Sequence, residues 1–273
     1  MPSGFSQEQL AQQITYTLGE TLSSQDMEKC LAGIEIVEPP VAKQFWQATT
    51  AIPGIYMILT GKVRLLDSVN NLITTLTTGA SFGESTLFPE EEFHSYVARA
   101  SVNLKLCYLP QALLQEILQQ YPGMSDRLQK RAELWNLLLL CCQSAPITLN
   151  GSVEQMLQAL SLFRRHNLES GAPPAKLFHD TRLWLLRRGK LLHADGRILT
   201  SGNIYIYPQE GSWQATQPTI VYSLHNADWQ TAVAHWPQLA DLAGVGSGEE
   251  GRGQEAEGAR AEEGRGQGAG GRG

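Results

Sequence analysis

The stretch F-G-E-S-T-L-F-P-E-E-E-F-H-S-Y-V-A-R-A, residues 82–100, decides how the chain is read. Gly83 has no Cβ, so backbone N–H groups beside it can approach an anion closely. Consecutive N–H groups in such a turn form a nest that holds a phosphate. Glu84 next to it accepts hydrogen bonds from a diol such as a ribose edge. A phosphate cradle also calls for a facing guanidinium, because Arg supplies a permanently charged, bidentate fork. Ten residues after Glu84 the chain places His94, followed by Ser95. From Tyr96 the run becomes strand-like, and Arg99 within it is a substitute candidate for that guanidinium, five residues on, that reads otherwise as a solvent-facing strand residue.

Upstream, G-I-Y-M-I-L-T-G-K-V-R-L-L at 54–66 predicts two strands joined by a turn at Thr60-Gly61-Lys62. Asn70-Asn71 signals a second hairpin, since Asn tolerates positive φ. L-I-T-T-L then supplies another strand rich in β-branched residues. I-E-I-V-E from Ile34 alternates until Pro39-Pro40 stops it. Before that, Leu10, Ile14, Leu18 and Leu22 recur at helical spacing, with Ser6 and Gln9 as a capping box. Gly19 interrupts the helix, and Ser23 or Ser24 caps a second.

Downstream, Pro110 opens a helix whose stripe is Leu113, Leu114, Ile117 and Leu118. Tyr121-Pro122-Gly123 breaks it, and Ser125 or Asp126 caps a longer helix to about Gln143. The second half of that helix, L-W-N-L-L-L-L-C-C, is apolar on all sides. A helix of that kind is buried between two domains or between two subunits.

The two glycine-bearing motifs, the H-S-Y-V-A-R-A strand and the closing helix pair together resemble the cyclic nucleotide-binding domain, over about residues 34–143. The resemblance implies a cyclic nucleotide, cAMP or cGMP, as ligand, and no cofactor. It assigns the site to Phe82, Gly83, Glu84, His94 and Ser95. Gly83 would give its N–H to the cyclic phosphate, Glu84 would bind the ribose hydroxyl, and Ser95 follows the family's Arg position. His94 stands where that Arg belongs. It is shorter, lacks the fork and is partly charged near neutral pH, so the resemblance implies weakened or lost binding. Glu90, Glu91 and Glu92 read as a solvated helix face.

The chain then repeats itself. E-P-P-V-A-K-Q-F-W at 38–46 is echoed by G-A-P-P-A-K-L-F-H at 171–179, and I-Y-M-I-L-T-G-K-V-R-L-L by L-W-L-L-R-R-G-K-L-L at 183–192. The run 104–122 is echoed at 219–237. Ser152 starts a helix carrying Val153, Met156, Leu157 and Leu160. The second copy has no F-G-E and no Arg-Ser between Gly202 and Pro218. Trp184, Tyr205, Tyr207, Trp213, Trp229 and Trp236 read as core. The expected fold is α+β: an antiparallel β-roll, jelly-roll-like barrel with flanking helices, in two tandem copies, the second degenerate. The expected units are N-terminal helices at 1–33, the first domain at 34–143, the second at 144–243 and a disordered tail at 244–273. That tail is Gly, Glu, Arg, Ala and Gln, and offers nothing to bury after Val245.

The net charge of -6 argues against a generic nucleic-acid surface. Arg164-Arg165-His166 and Arg187-Arg188-Gly189-Lys190 read as solvated faces. The four cysteines have no C-x-x-C or metal-ligand spacing and fit a reducing cytoplasm. The longest apolar run, 137–142, is far short of the roughly 18–20 residues that span a bilayer, so no membrane insertion is expected. Nucleophile, zinc and P-loop motifs are not seen, and the six histidines are scattered, so no enzyme is expected. The leading reading is a regulatory, sensory module that signals to a protein partner or downstream domain. Similar modules precede the peptidase and membrane parts of some cyanobacterial ABC exporters. The alternative is a ligand-free interaction scaffold, with homodimerisation through the 125–143 helix. A transcription factor would need a C-terminal helix-turn-helix where residues 145–243 read as strands.

Overall fold

The computed structural model describes residues 4–91, 93, 95–144, 152–174, 180–206 and 213–241. His94, Glu92, Tyr207 and the 244–273 tail lie outside the described residues.

Two helices lead. α1 (Gln7–Leu18) begins with the Ser6–Gln9 capping box and closes on Gly19, and its Leu10, Ile14 and Leu18 are buried. α2 (Ser24–Gly33) is capped by the Ser23 hydroxyl, which accepts from the Asp26 N–H.

Eight strands follow: β1 (Glu35–Val37), β2 (Gln44–Gln47), β3 (Gly54–Thr60), β4 (Lys62–Leu66), β5 (Leu72–Thr77), β6 (Ser81–Phe82), β7 (Val97–Ala100) and β8 (Lys105–Pro110). They form two antiparallel sheets, ordered β1-β8-β3-β6 and β2-β7-β4-β5. β3 and β4 join the two sheets through Gly61, whose φ is 83° and whose Cβ, if present, would sit 2.9 Å from the Asn103 carbonyl oxygen. Asn70 takes a φ of 68° at the β4–β5 hairpin, where the Asp67 carboxylate accepts from the Asn71 N–H at 2.8 Å.

The expected closed barrel is not what forms. The sheets are open, and among the described residues no ladder joins one to the other. The reason lies at the edges. β1 has three residues and β6 two, and Gly83 turns the chain out of the ladder immediately after Phe82. Short edges end pairing before closure can occur.

α3 (Gln111–Gln120) and α4 (Pro122–Ser144) come next. α4 starts on Pro122 itself rather than at Ser125, because Pro suits a first helical position where no N–H is needed. Residues 137–141 of α4 are buried. They share one core with Trp46, Phe82 and Leu106 on one side and with Leu160, Leu183, Tyr222 and Trp236 on the other. The all-round apolar run therefore lies between the two halves of the chain, and the surface offered to a second subunit is covered from within.

α5 (Val153–Leu160) opens with a second capping box, Ser152 with Gln155. The strands β9 (Arg164–Leu168), β10 (Thr181–Arg188), β11 (Lys190–His193), β12 (Ile198–Thr200), β13 (Asn203–Ile206), β14 (Trp213–Ala215) and β15 (Thr219–His225) form sheets ordered β13-β10-β15-β9 and β12-β11-β14. α6 (Asn226–His235) packs on α5 and β15. Trp184, Trp213 and Trp236 are buried as expected, while Tyr205 stacks on Trp184 at 4.6 Å between ring centroids. Among the described residues no helix is long and apolar enough to cross a membrane.

Candidate ligand-binding site

Phe82 ends β6 fully buried. Gly83 follows at φ 99° and caps a 3-10 turn, Glu84–Leu87. A Cβ here would lie 2.6 Å from the Gly54 carbonyl oxygen, so only glycine lets β6 and the start of β3 approach this closely. Thr86 fixes the turn: its hydroxyl donates to the Gly83 carbonyl at 2.7 Å and accepts from the Gly54 N–H at 3.0 Å.

The Gly83 N–H, the group expected to meet a phosphate, already has an acceptor. It donates to the Tyr96 hydroxyl at 3.1 Å. Tyr96 is buried, and burial, with the nearby Glu84 charge, pushes its phenol above the ordinary tyrosine pKa. Its ring lies 4.8 Å from Trp46, which meets Phe82 edge-on at 5.5 Å. Phe82 in turn stacks on Tyr56 at 5.3 Å, and Tyr56 on Tyr108 at 4.6 Å. Aromatic rings fill the space between the sheets behind the turn.

Glu84 is 1% exposed. Its Oε1 accepts from the Ser81 hydroxyl at 2.6 Å and pairs with the Arg131 Nε of α4 at 3.3 Å. Among the described residues its Oε2 is buried with no hydrogen-bond partner. That oxygen is an open acceptor, and a ligand hydroxyl would satisfy it.

Ser95 is half-buried, one residue before Tyr96. Phe82, Gly83 and Glu84 thus stand together, and Ser95 is next in the chain to Tyr96, whose hydroxyl meets the Gly83 N–H. Arg99 does not join them. Tyr96, Ala98 and Ala100 are buried in the core, and Arg99 lies half-buried on the opposite face of β7, across from Arg64.

The glutamate run is not a uniformly solvated face. Glu90 is exposed, but Glu91, in the 3-10 turn Pro89–Glu91, is gripped from the second half. Its carboxylate accepts from Arg165 at 3.1 Å, Arg187 at 3.2 Å and Gln129 at 3.1 Å. Arg187 also donates to the Glu91 carbonyl, and Arg165 to Glu133 of α4. The solvated reading of the two basic clusters fails at these two residues. Arg187 is 3% exposed, and its guanidinium lies over the Phe93 ring at 4.8 Å. Alternation in β10 does not signal this: every residue from Leu183 to Arg187 is buried, and the ladder to β15 is irregular between Leu186 and Arg188. Leu183 and Leu185 join the core shared with α4.

Two cavities lie elsewhere. One, of about 290 Å³, sits between α4, α5 and the β9–β15 sheet, beside Glu133, Arg165 and Tyr222. The other, of about 380 Å³, lies against β11 and β14, beside His193 and Trp213.

Residues 45–121 match the family described as the cyclic nucleotide-binding domain. No curated protein matches the chain. Among solved structures, the regulatory subunit of a cAMP-independent protein kinase A from Trypanosoma brucei is 13% identical, covering 90% of this chain and 93% of its own, with a TM-score of 0.42. The regulatory domain of Toxoplasma gondii PKA with cAMP is 11% identical over 88% of this chain and 97% of its own, TM-score 0.38. A putative cyclic nucleotide-binding protein from Geobacter metallireducens is 20% identical over 48% of this chain and 94% of its own, TM-score 0.39. The turn at Glu84–Leu87 lies inside the matched segment, so the similarity to the cyclic nucleotide-binding domain covers residues 45–121 and includes the turn.

Proposed function

We propose that the chain is a regulatory module of cyclic nucleotide-binding type in which binding at the 82–95 cassette is weakened or lost. One observation carries this reading: the Gly83 N–H donates to the Tyr96 hydroxyl inside a filled aromatic core, so the cradle is satisfied from within. A phosphate would have to displace that hydroxyl, and with His94 in the Arg position it would gain no fork in exchange. The unpartnered Glu84 Oε2 is the feature that retains a ligand's contact.

The module is built from two tandem copies, at 34–143 and 144–243, the second without a site. What supports this, besides the sequence echoes, is strand order. β6-β3-β8-β1 corresponds to β13-β10-β15-β9, and β5-β4-β7 to β12-β11-β14. Gly61 and Gly189 take positive φ, 83° and 94°, at equivalent turns. The output passes to a protein partner or a downstream domain in the cytoplasm, as in the regulatory regions of some ABC exporters that the sequence resembles. The filled cradle also favours a second reading, a ligand-free interaction scaffold.

Thermal unfolding with cAMP and cGMP separates the two. A ligand at a hundred times its Kd stabilises by about 2.7 kcal/mol, roughly 5–10 °C for a chain of this size. The wild type is expected to show no shift at 0.1 mM, and His94→Arg with Tyr96→Phe to gain one. A shift of several degrees in the wild type at micromolar ligand would overturn the weakened-site reading. No shift in either protein would leave the scaffold.

A further inference from the structure

The two halves meet at a cluster of charges. Glu91 comes from the cassette, Glu133 from α4, Arg165 from β9 and Arg187 from β10. Two carboxylates face two guanidiniums, and Gln129 of α4 completes the shell of Glu91. Lys130 and Asp126 of α4 and Tyr222 of β15 line the adjoining cavity. Arg187 has only 2% of its side chain exposed, so it loses its counter-charge if the cassette turn moves away. A buried charge left without its partner is strongly unfavourable, so the turn and the β9–β10–β15 sheet cannot separate by small steps.

We propose that the second half is the reader of the cassette: the Arg165–Arg187 clasp on Glu91 makes displacement of the 84–91 turn and release of the second sheet a single event. This would give the half without a site its role. Its sheet takes up the carboxylate of the first half's cassette and holds that turn in one position. Coupling of this kind is reciprocal, so a partner that pulls on the second half loosens the cassette, and anything that moves the cassette frees the second half. The coupling needs no nucleotide, so it stands or falls separately from the binding proposed above.

Hydrogen exchange on the full chain, followed peptide by peptide, tests it with Glu91→Gln, Arg165→Gln and the double variant. Both sites are partly exposed, so the variants leave the buried Arg187 in place. Each single variant is expected to speed exchange at 84–91 and in β9 together, by at least about tenfold, with α1 unchanged. The double variant is expected to match Glu91→Gln within about twofold, because that change already breaks the Arg165–Glu91 pair. Unchanged protection at 84–91, acceleration in β9 alone, or multiplied effects in the double variant would overturn the clasp. Equal acceleration in α1 would reveal loss of the whole fold instead of release of one contact, and would overturn it too.

Discussion

Tyr96 is where one side chain decides the most. Its hydroxyl supplies the acceptor for a backbone donor that water cannot reach. Tyr96→Phe keeps the ring and removes that acceptor, leaving the Gly83 N–H buried and unpaired. The expected cost is about 1–3 kcal/mol in urea unfolding. Gly83→Ala is expected to cost more than about 1 kcal/mol by the same measurement, since a φ of 99° and a 2.6 Å approach to the Gly54 carbonyl both reject a Cβ. The need for a glycine was legible in F-G-E. That Tyr96 would answer the Gly83 N–H was not, because thirteen residues of chain separate the two and only folding brings the phenol back.

At the scale of elements, the turn ending at Glu91 and the strand ending at Arg188 act through charge. Burial raises the Glu91 pKa, but the Arg187 hydrogen bond and the Arg165 charge outweigh it and hold the carboxyl below its ordinary value. A carboxylate with a depressed folded pKa stabilises above its unfolded pKa and loses that contribution as pH falls through the folded value. Stability is therefore expected to drop as pH falls below about 4.5, and Glu91→Gln to flatten that part of an unfolding-against-pH series. His166 on β9 behaves with the same sign for another reason. Burial, then the charges of His225 and Arg164, lower its pKa, and its Nε2 lies 2.8 Å from the Ser223 hydroxyl. Folding favours its neutral form, so stability falls as pH drops below about 6.5. His166→Gln is expected to remove that slope in the same series. β10 shows how far pattern reading reaches: the apolar strand was legible, but a basic run at a strand end normally faces water, and no local rule names the carboxylate that buries Arg187.

Across the whole molecule, α4 is the shared wall. Its 137–141 run belongs to one core with side chains from both halves, so unfolding is expected as one cooperative transition. Leu138→Ala, at a fully buried position, is expected to lower stability by about 2–5 kcal/mol and to shift tryptophan fluorescence and far-ultraviolet circular dichroism together. A chain ending at Ser144 would strip that wall of α5 and the second sheet. It is expected to self-associate in size-exclusion chromatography, because the leucine stripe would face water.

The sequence by itself determined the order of helices and strands, the helix starts at Ser6 and Ser152, the turn glycines and the similarity of residues 45–121 to the cyclic nucleotide-binding domain. These are local matters of φ, hydrogen-bonding side chains and periodicity, and they are written in neighbouring residues. Tertiary structure alone decided that the sheets stay open, that α4 faces the chain's own second half, that the Tyr96 hydroxyl accepts from the Gly83 N–H and that Glu91 is clasped. Each of those depends on groups brought together from distant parts of the chain, where packing chooses among partners that local spacing leaves equivalent.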